Sequence, residues 1–250
     1  MHVFVDKNVS RDSLSPQLVH QLVDQVALEN PNHVAVVYGD QSLTYDQLNS
    51  RANDLCQAIL SADAGAKLIG VSTARNLEMV IGVLAILKAG KAYLPLDPAY
   101  PEQRLQKIIA DSGLRTSVTS AQNKGLFEQL GLTVVASDTE YPYSSQPVPH
   151  QGSMAYVLYT SGSTGNPKGV CMGHGPLMNL LQWQEKNSVA GLGTRTLQLA
   201  PLSFDVSFQE IFATLATGGT LMLVDETLRL DLNAHKLRLC CFVCFVVSSL

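Results

Sequence analysis

The chain is short of charge, of aromatic side chains and of long apolar runs, and each shortage removes a class of protein. Charged residues make up 15% of the 250 positions, with 17 basic side chains against 21 acidic ones, a net charge of −4 and an isoelectric point near 5.8. Without a basic excess to neutralise phosphate backbones or anionic headgroups, neither nucleic acid nor a membrane surface is an expected partner. No apolar run approaches the roughly 18–20 residues that a membrane-spanning helix needs. The start, Met1-His2-Val3-Phe4-Val5-Asp6, lacks the basic region and long apolar stretch of a secretory signal. The five cysteines fit no framework: Cys56 and Cys171 are isolated, and Cys240, Cys241 and Cys244 have no histidines at ligand spacing. A reducing, cytoplasmic setting is the expectation. Aromatic residues amount to 6%, with Trp183 the only tryptophan, expected in the core or a pocket wall. What is present is aliphatic: 46% hydrophobic residues in a chain this long exclude a disordered polar polymer and suffice for a buried core.

Periodicity and turn residues then lay out the elements. Ser15-Pro16 reads as a helix start, with Leu18, Val19, Leu22, Val23 and Val26 at helical spacing and a stop before Pro31. Val34–Tyr38 reads as a strand, turning at Gly39-Asp40 into Ser42–Thr44. Thr44 with Gln47 forms a capping-box pattern opening a helix that buries Leu48, Ala52, Leu55 and Ile59. Strand Leu68–Ser72, an apolar helix Leu77–Lys88 ended by Gly90, strand Tyr93–Leu96 and a helix opened by Pro101 follow. Strand Thr116–Thr119, helix Lys124–Leu130 and strand Leu132–Val135 complete this part. The strand–helix alternation predicts a parallel α/β sheet with right-handed crossovers. Ser137 to Gly152 turns to Ser, Pro, Tyr and Gln and reads as a boundary. The expected division is a first α/β subdomain over 1–136, a linker over 137–153, part of a second subdomain over 154–234 and a divergent tail over 235–250. Beyond the linker come a strand from Met154, a helix started by Gly175-Pro176, strand Thr196–Ala200, helix Phe208–Leu215 and strand Thr220–Val224.

The densest chemistry lies at Tyr159-Thr160-Ser161-Gly162-Ser163-Thr164-Gly165-Asn166-Pro167-Lys168-Gly169-Val170, directly behind the apolar run Met154–Leu158. Glycines let a backbone turn tightly and bring its N–H groups to an anion. Hydroxyls add donors, and Lys168 supplies a point charge suited to phosphate. The pattern is a polyphosphate-holding loop, distinct from the P-loop because Lys168 follows Pro167 and precedes Gly169. Its place at the carboxyl end of a strand suits a binding site in an open α/β sheet.

This stretch resembles the phosphate-loop signature of the adenylate-forming superfamily, which includes acyl-CoA synthetases, luciferases and nonribosomal peptide synthetase adenylation domains. Three more stretches resemble the adenylation-domain branch in order and spacing: Leu43 to Asn53, Leu87 to Pro98 running on to Arg104, and Phe204-Asp205-Val206-Ser207 running on to Leu221. The resemblance covers roughly residues 15–234 and implies stacked parallel β-sheets flanked by helices, the N-terminal large domain of that fold, incomplete. It also implies ATP-dependent activation of an amino acid as an aminoacyl-adenylate for nonribosomal peptide synthesis, with Mg²⁺ bridging phosphate oxygens and a phosphopantetheinyl carrier domain as the acceptor in a complete enzyme. By the same resemblance Thr160, Ser161, Gly162, Ser163, Thr164, Gly165, Lys168 and Gly169 hold ATP phosphates, and Asp205 pairs with the substrate ammonium. Val206 and Gln209 would line the side-chain pocket, in a combination similar to pockets described for proline. Asp205 is expected to be buried, so that a cation partner is needed; its competing reading is a helix N-cap. The other readings are an acyl- or aryl-CoA ligase fragment and a catalytically inactive truncated product. Tyr93, Pro95 and Asp97 are expected to shape a loop, and His174, preceded by Gly173, to serve helix entry.

After Ala234 the resemblance stops, and the text from His235 to Leu250 holds three of the five cysteines and no acid. An abnormal end is the expectation there, from a frameshift, a retained intron or a truncated gene model. The family's adenine, ribose and catalytic-lysine segments are not found in these 250 residues, so this chain alone is expected to be inactive.

Overall fold

A computed structural model describes residues 18–141, 152–161 and 167–225. The start at Ser15-Pro16, most of the linker and the tail from 235 lie outside the described residues. In order, the elements are α1 (Val19–Glu29), β1 (Val34–Tyr38), β2 (Gln41–Thr44), α2 (Tyr45–Asp63), β3 (Leu68–Ser72), α3 (Leu77–Lys88), β4 (Ala92–Pro95), α4 (Glu102–Ser112), β5 (Thr116–Thr119), α5 (Lys124–Gln129) and β6 (Thr133–Ala136). Then follow β7 (Met154–Ser161), β8 (Pro167–Gly173), α6 (His174–Asn187), β9 (Arg195–Gln198), α7 (Asp205–Leu215) and β10 (Thr220–Leu223).

The strands form a four-stranded sheet ordered β2-β1-β10-β9 and a six-stranded sheet ordered β6-β5-β3-β4-β7-β8. Pairing is parallel except at one edge of each sheet, where β1–β2 and β7–β8 are antiparallel. Helices α2, α3 and α7 lie between the sheets, and α4 and α5 cover the other face of the six-stranded one. This is the expected stack of sheets and helices, with two hairpin edges added. Both sheets draw strands from either side of 137–153: β1 pairs with β10 (Val36 opposite Leu221) and β4 with β7 (Tyr93 opposite Tyr156). That segment therefore does not separate two independent sheets.

Local chemistry accounts for the element ends. Gln47 Oε1 accepts from the Thr44 N–H at 2.9 Å and Thr44 Oγ1 from the Gln47 N–H at 3.2 Å, the reciprocal box read in the sequence. Asn76 caps α3 through the Met79 N–H at 3.3 Å. Gly90, at φ +70°, turns the chain out of α3, and its N–H bonds Leu87 O at 3.0 Å. Every residue of α3 except Glu78 is buried. The one charge among the buried ones, Lys88, forms an ion pair with Asp24 of α1, since a buried ammonium needs a partner.

Two sequence expectations change. Pro167–Gly173 reads as loop because of its glycines, proline and lysine, yet it pairs with β7 as an edge strand whose residues are mostly exposed. Trp183 is 61% exposed on α6 rather than in the core, while Leu177 and Leu181 of the same helix face inward.

Tyr45 illustrates how distant parts of the chain are joined. Its fully buried hydroxyl donates to Gly219 O at 2.7 Å and lies 3.2 Å from Leu215 O, across the α7–β10 turn. Burial pushes this phenol well above its ordinary pKa, so it stays a donor. Tyr45→Phe should lower unfolding free energy by about 1–3 kcal/mol in urea titration, because buried carbonyls lose their donor; an unchanged midpoint would contradict this account.

Candidate functional site

The phosphate-type loop closes a hairpin. Cross-strand pairs run Tyr159 opposite Gly169, Thr160 opposite Lys168 and Ser161 opposite Pro167. Directly opposed residues share a face, so the Thr160 hydroxyl and the Lys168 ammonium project together. Thr160, Ser161 and Lys168 are exposed. Gly162, Ser163, Thr164 and Gly165 lie outside the described residues. Gly169 packs closely: a Cβ there would meet Tyr159 Cζ at 3.1 Å and Val157 Cγ1 at 3.2 Å, so a side chain would have to push them aside. Tyr159 therefore lies against the backbone of the returning strand, and its hydroxyl donates to Asp111 Oδ2 of α4 at 2.7 Å. Burial, followed by that bond, raises the Tyr159 pKa well above its ordinary value. Nothing local in the sequence pairs Asp111 with Tyr159.

Asp205 is the first residue of α7, with Phe204 as N-cap. Its carboxylate is exposed, not buried as expected, and Oδ1 accepts from the Val206 N–H at 2.9 Å. It is therefore not the N-cap residue, and it stands open at a helix N-terminus. Val206 is 38% exposed and Gln209 half-buried. Gln209 lies four residues from Asp205 and three from Val206, so it neighbours both on one side of the helix. An aromatic chain brings this helix end to the hairpin. Tyr93 of β4 lies 5.7 Å from Tyr156 of β7, Tyr156 lies 5.8 Å from Phe208, and Phe208 stacks on Phe212 at 4.7 Å. Burial, and then the Asp205 charge, raises the pKa of Tyr156. The sequence reads Tyr156 as part of a buried strand, which it is, but nothing local pairs it with Phe208 of α7. Tyr93 is fully buried in β4, and Asp97 turns the chain by accepting from the Ala99 N–H at 2.9 Å.

A cavity of about 450 Å³ opens beside these elements, lined by Tyr38, Thr73, Arg75, Leu96, Asp97 and Leu202 among others. It lies where β1, β3 and β4 end. Among the described residues no group of three or more His, Cys, Asp or Glu side chains could hold a metal ion, and no helix is long and apolar enough to cross a membrane.

A family model described as AMP-binding enzyme matches residues 23–248. The chain belongs to this family. Within the AMP-binding enzymes it is similar to tyrocidine synthase 3 of Brevibacillus parabrevis, 40% identical over 211 residues, which is 82% of this chain and 3% of that protein. Malpinin synthetase of Mortierella alpina is 40% identical over 86% of this chain and 3% of its own length. Bacitracin synthase 2 of Bacillus licheniformis is 35% identical over 93% and 9%. The chain thus spans less than a tenth of each of these relatives. Among solved structures, a nonribosomal peptide synthetase in its α-methyl-L-serine-AMP bound form superposes with a TM-score of 0.77 at 30% identity, over 85% of this chain and 24% of that one. The AMPPNP-bound form gives 0.75 at 31%, over 86% and 23%.

His174 opens α6 and is buried, in keeping with a helix-entry role. Its Nδ1 accepts from the Val19 N–H at 3.2 Å, tying the start of α1 to that of α6, with His20 edge-on at 6.3 Å. Burial lowers its pKa from the ordinary 6.5. The folded state therefore binds this proton less tightly than the unfolded chain does. The stabilisation is complete above pH 6.5 and declines as pH falls below it. His174→Asn, which keeps an acceptor without the titration, should flatten the acid loss of stability between neutral pH and pH 5, by at most about 1.4 kcal/mol per pH unit. Denaturant titrations at several pH values would show it; parallel profiles would remove His174 as the cause.

Proposed function

We propose that this chain is the phosphate-binding and ammonium-binding part of an amino-acid adenylation domain of the nonribosomal peptide synthetase type, acting within a longer protein. The observation that supports the reading is the packing of β7, which leads to the Thr160–Lys168 pair, against α7, which Asp205 opens: Tyr156 of β7 lies 5.8 Å from Phe208 of α7. Exposed hydroxyls and an ammonium on one element and an open carboxylate on the helix packed against it suit a substrate pair in which one member is a polyphosphate and the other carries a cation. The relatives support it: the curated ones are named as synthases and synthetases, and the solved nonribosomal peptide synthetase holds α-methyl-L-serine-AMP in one form and AMPPNP in the other.

In the reaction a carboxylate oxygen of the amino acid forms a bond to the α-phosphorus of ATP. The bond from that phosphorus to the bridging oxygen breaks, and pyrophosphate leaves. Lys168, Thr160 and Ser161, with Gly162 to Gly165 and Gly169, hold the β- and γ-phosphates and stabilise the charge developing on the leaving group. Magnesium bound with the nucleotide would neutralise part of that charge. Asp205 pairs with the substrate ammonium and so fixes which end of the amino acid faces the phosphate. Val206 and Gln209 line the side-chain pocket. The aminoacyl group then passes to the thiol of a phosphopantetheinyl carrier domain.

The test is ATP–pyrophosphate exchange by the full protein that carries this chain, over a panel of amino acids that includes proline. Asp205→Ala should reduce amino-acid-dependent exchange by roughly 10²-fold or more, the loss expected when one partner of a desolvated charge pair is removed. Lys168→Ala should act through the KM for ATP. Turnover with acyl or aryl acids alone would give the acyl- or aryl-CoA ligase reading instead, and no turnover with any acid would leave a non-catalytic chain.

A further inference from the structure

Glu210, five residues beyond Asp205 on α7, turns its carboxylate onto the end of β9. Oε2 accepts from Gln198 Nε2 at 3.0 Å, from the Leu199 N–H at 3.1 Å and from the Ala200 N–H at 3.0 Å, while Oε1 lies 3.3 Å from the same Ala200 nitrogen. Three donors on one half-buried carboxylate form a grip rather than a surface contact. Gln198, fully buried, passes the connection on: its side-chain oxygen and its carbonyl both accept from Arg75 Nη1, at 2.7 and 2.9 Å. Arg75 belongs to the connection between β3 and α3, so the network ties the four-stranded sheet to the loops of the six-stranded one.

The segment held this way runs from Leu199 to Phe204 and delivers Asp205. Its far end is tied to the same helix, since Ser207 Oγ donates to Phe204 O at 2.6 Å and the Ser207 N–H bonds the same carbonyl at 3.1 Å. Both ends of the connection are thus bonded to the first two turns of α7. Pro201, Leu202 and Ser203 between them form a wall of the 450 Å³ cavity. Burial raises the Glu210 pKa, and the hydrogen bonds from Ala200, Leu199 and Gln198, together with the Arg75 charge, oppose that shift.

We infer that Glu210 is a positioning residue for amino-acid binding: by gripping Gln198, Leu199 and Ala200 it sets where α7 begins and hence where the Asp205 carboxylate stands, with Arg75 fixing the grip to the second sheet. This rests on the reading of Asp205 as the ammonium partner. A cap that merely stabilises the fold would not distinguish one substrate from the other.

Two measurements separate the cases. In the full 250-residue chain, Glu210→Ala should speed amide hydrogen exchange over residues 199–206 by roughly 10-fold or more, with α3 unchanged. In the full protein that carries the chain, the same variant should raise the KM for the amino acid about 10-fold with the KM for ATP unmoved, as expected when a binding contact is misplaced rather than removed. Glu210→Gln, which keeps an acceptor oxygen, should stay near wild type in both. Glu210→Ala combined with Asp205→Ala should be no worse than Asp205→Ala alone. If Glu210→Ala fails to fold, Arg75→Ala, which releases Gln198, decides, with the same rise in amino-acid KM expected. Uniformly faster exchange across the chain, or an amino-acid KM that stays put while residues 199–206 loosen, overturns the inference. A wild-type protein that activates no amino acid overturns the functional reading itself, a result that no variant is needed to see.

Discussion

A helix without a polar face cannot rest on the outside of a protein, and α3 is such a helix. With eleven of its twelve residues buried, it requires cover on every side, and the two sheets with α1 and α2 provide it. At roughly 1.5–3 kcal/mol for each fully buried large aliphatic side chain, the Leu, Ile, Val and Met residues of α3 outweigh any single polar interaction in the fold. The demand propagates. The sheets must stand on opposite sides of α3, and the connections leaving β3, β4 and β9 are then drawn toward one another. Lys88, the one charged residue taken inside with the helix, fixes α1 through Asp24.

The 450 Å³ cavity occupies that convergence, and the connection that walls it leads into α7 and Asp205. Neither element that carries the candidate site is rigid by its own propensity: β8 is an exposed edge strand, and α7 begins with an exposed Phe-Asp-Val. Each is held from behind. Tyr159 presses on Gly169 and is anchored by Asp111, while Phe208 packs on Tyr156 and Glu210 holds the chain before the helix. The exposed residues of the candidate site are thus held by side chains packed behind them, the arrangement a binding site needs if its first contacts are to be preorganised.

Much of this is legible in the sequence because it is local. Thr44 and Gln47 are three residues apart and form the box they spell; Leu77 to Lys88 could only be a buried helix; Gly90 ends it. The phosphate-type residues announce themselves by composition. What is not legible is non-local or conformational. Pro167–Gly173 lacks any alternation because an edge strand outside the core has no inner face to mark. The helix read as Phe208–Leu215 starts at Asp205, because the Ser207 and Glu210 bonds that settle its first turn depend on the path of the preceding strand. The expected burial of Asp205 follows from its apolar neighbours, but Phe204 and Val206 are themselves exposed. Residue type alone sends Trp183 inward, whereas its position on α6 points it out.

The four-stranded sheet has a consequence for how the molecule is made. The Thr220 hydroxyl donates to the carbonyl of Val34, 186 positions earlier, and among the described strands β1 has its one parallel neighbour in β10. At a synthesis rate of about 5–20 residues per second, β1 emerges from the ribosome roughly 10–40 s before that neighbour exists. Strands β3 to β6, with α2 and α3, are all translated in the meantime and can pair with one another. Throughout this interval one side of β1, with Ala35 and Val36 in its middle, is an unsatisfied template for any other extended chain. Of the two sheets, the one that holds β1 closes later, and the nascent chain is most open to mispairing at a strand it made long before.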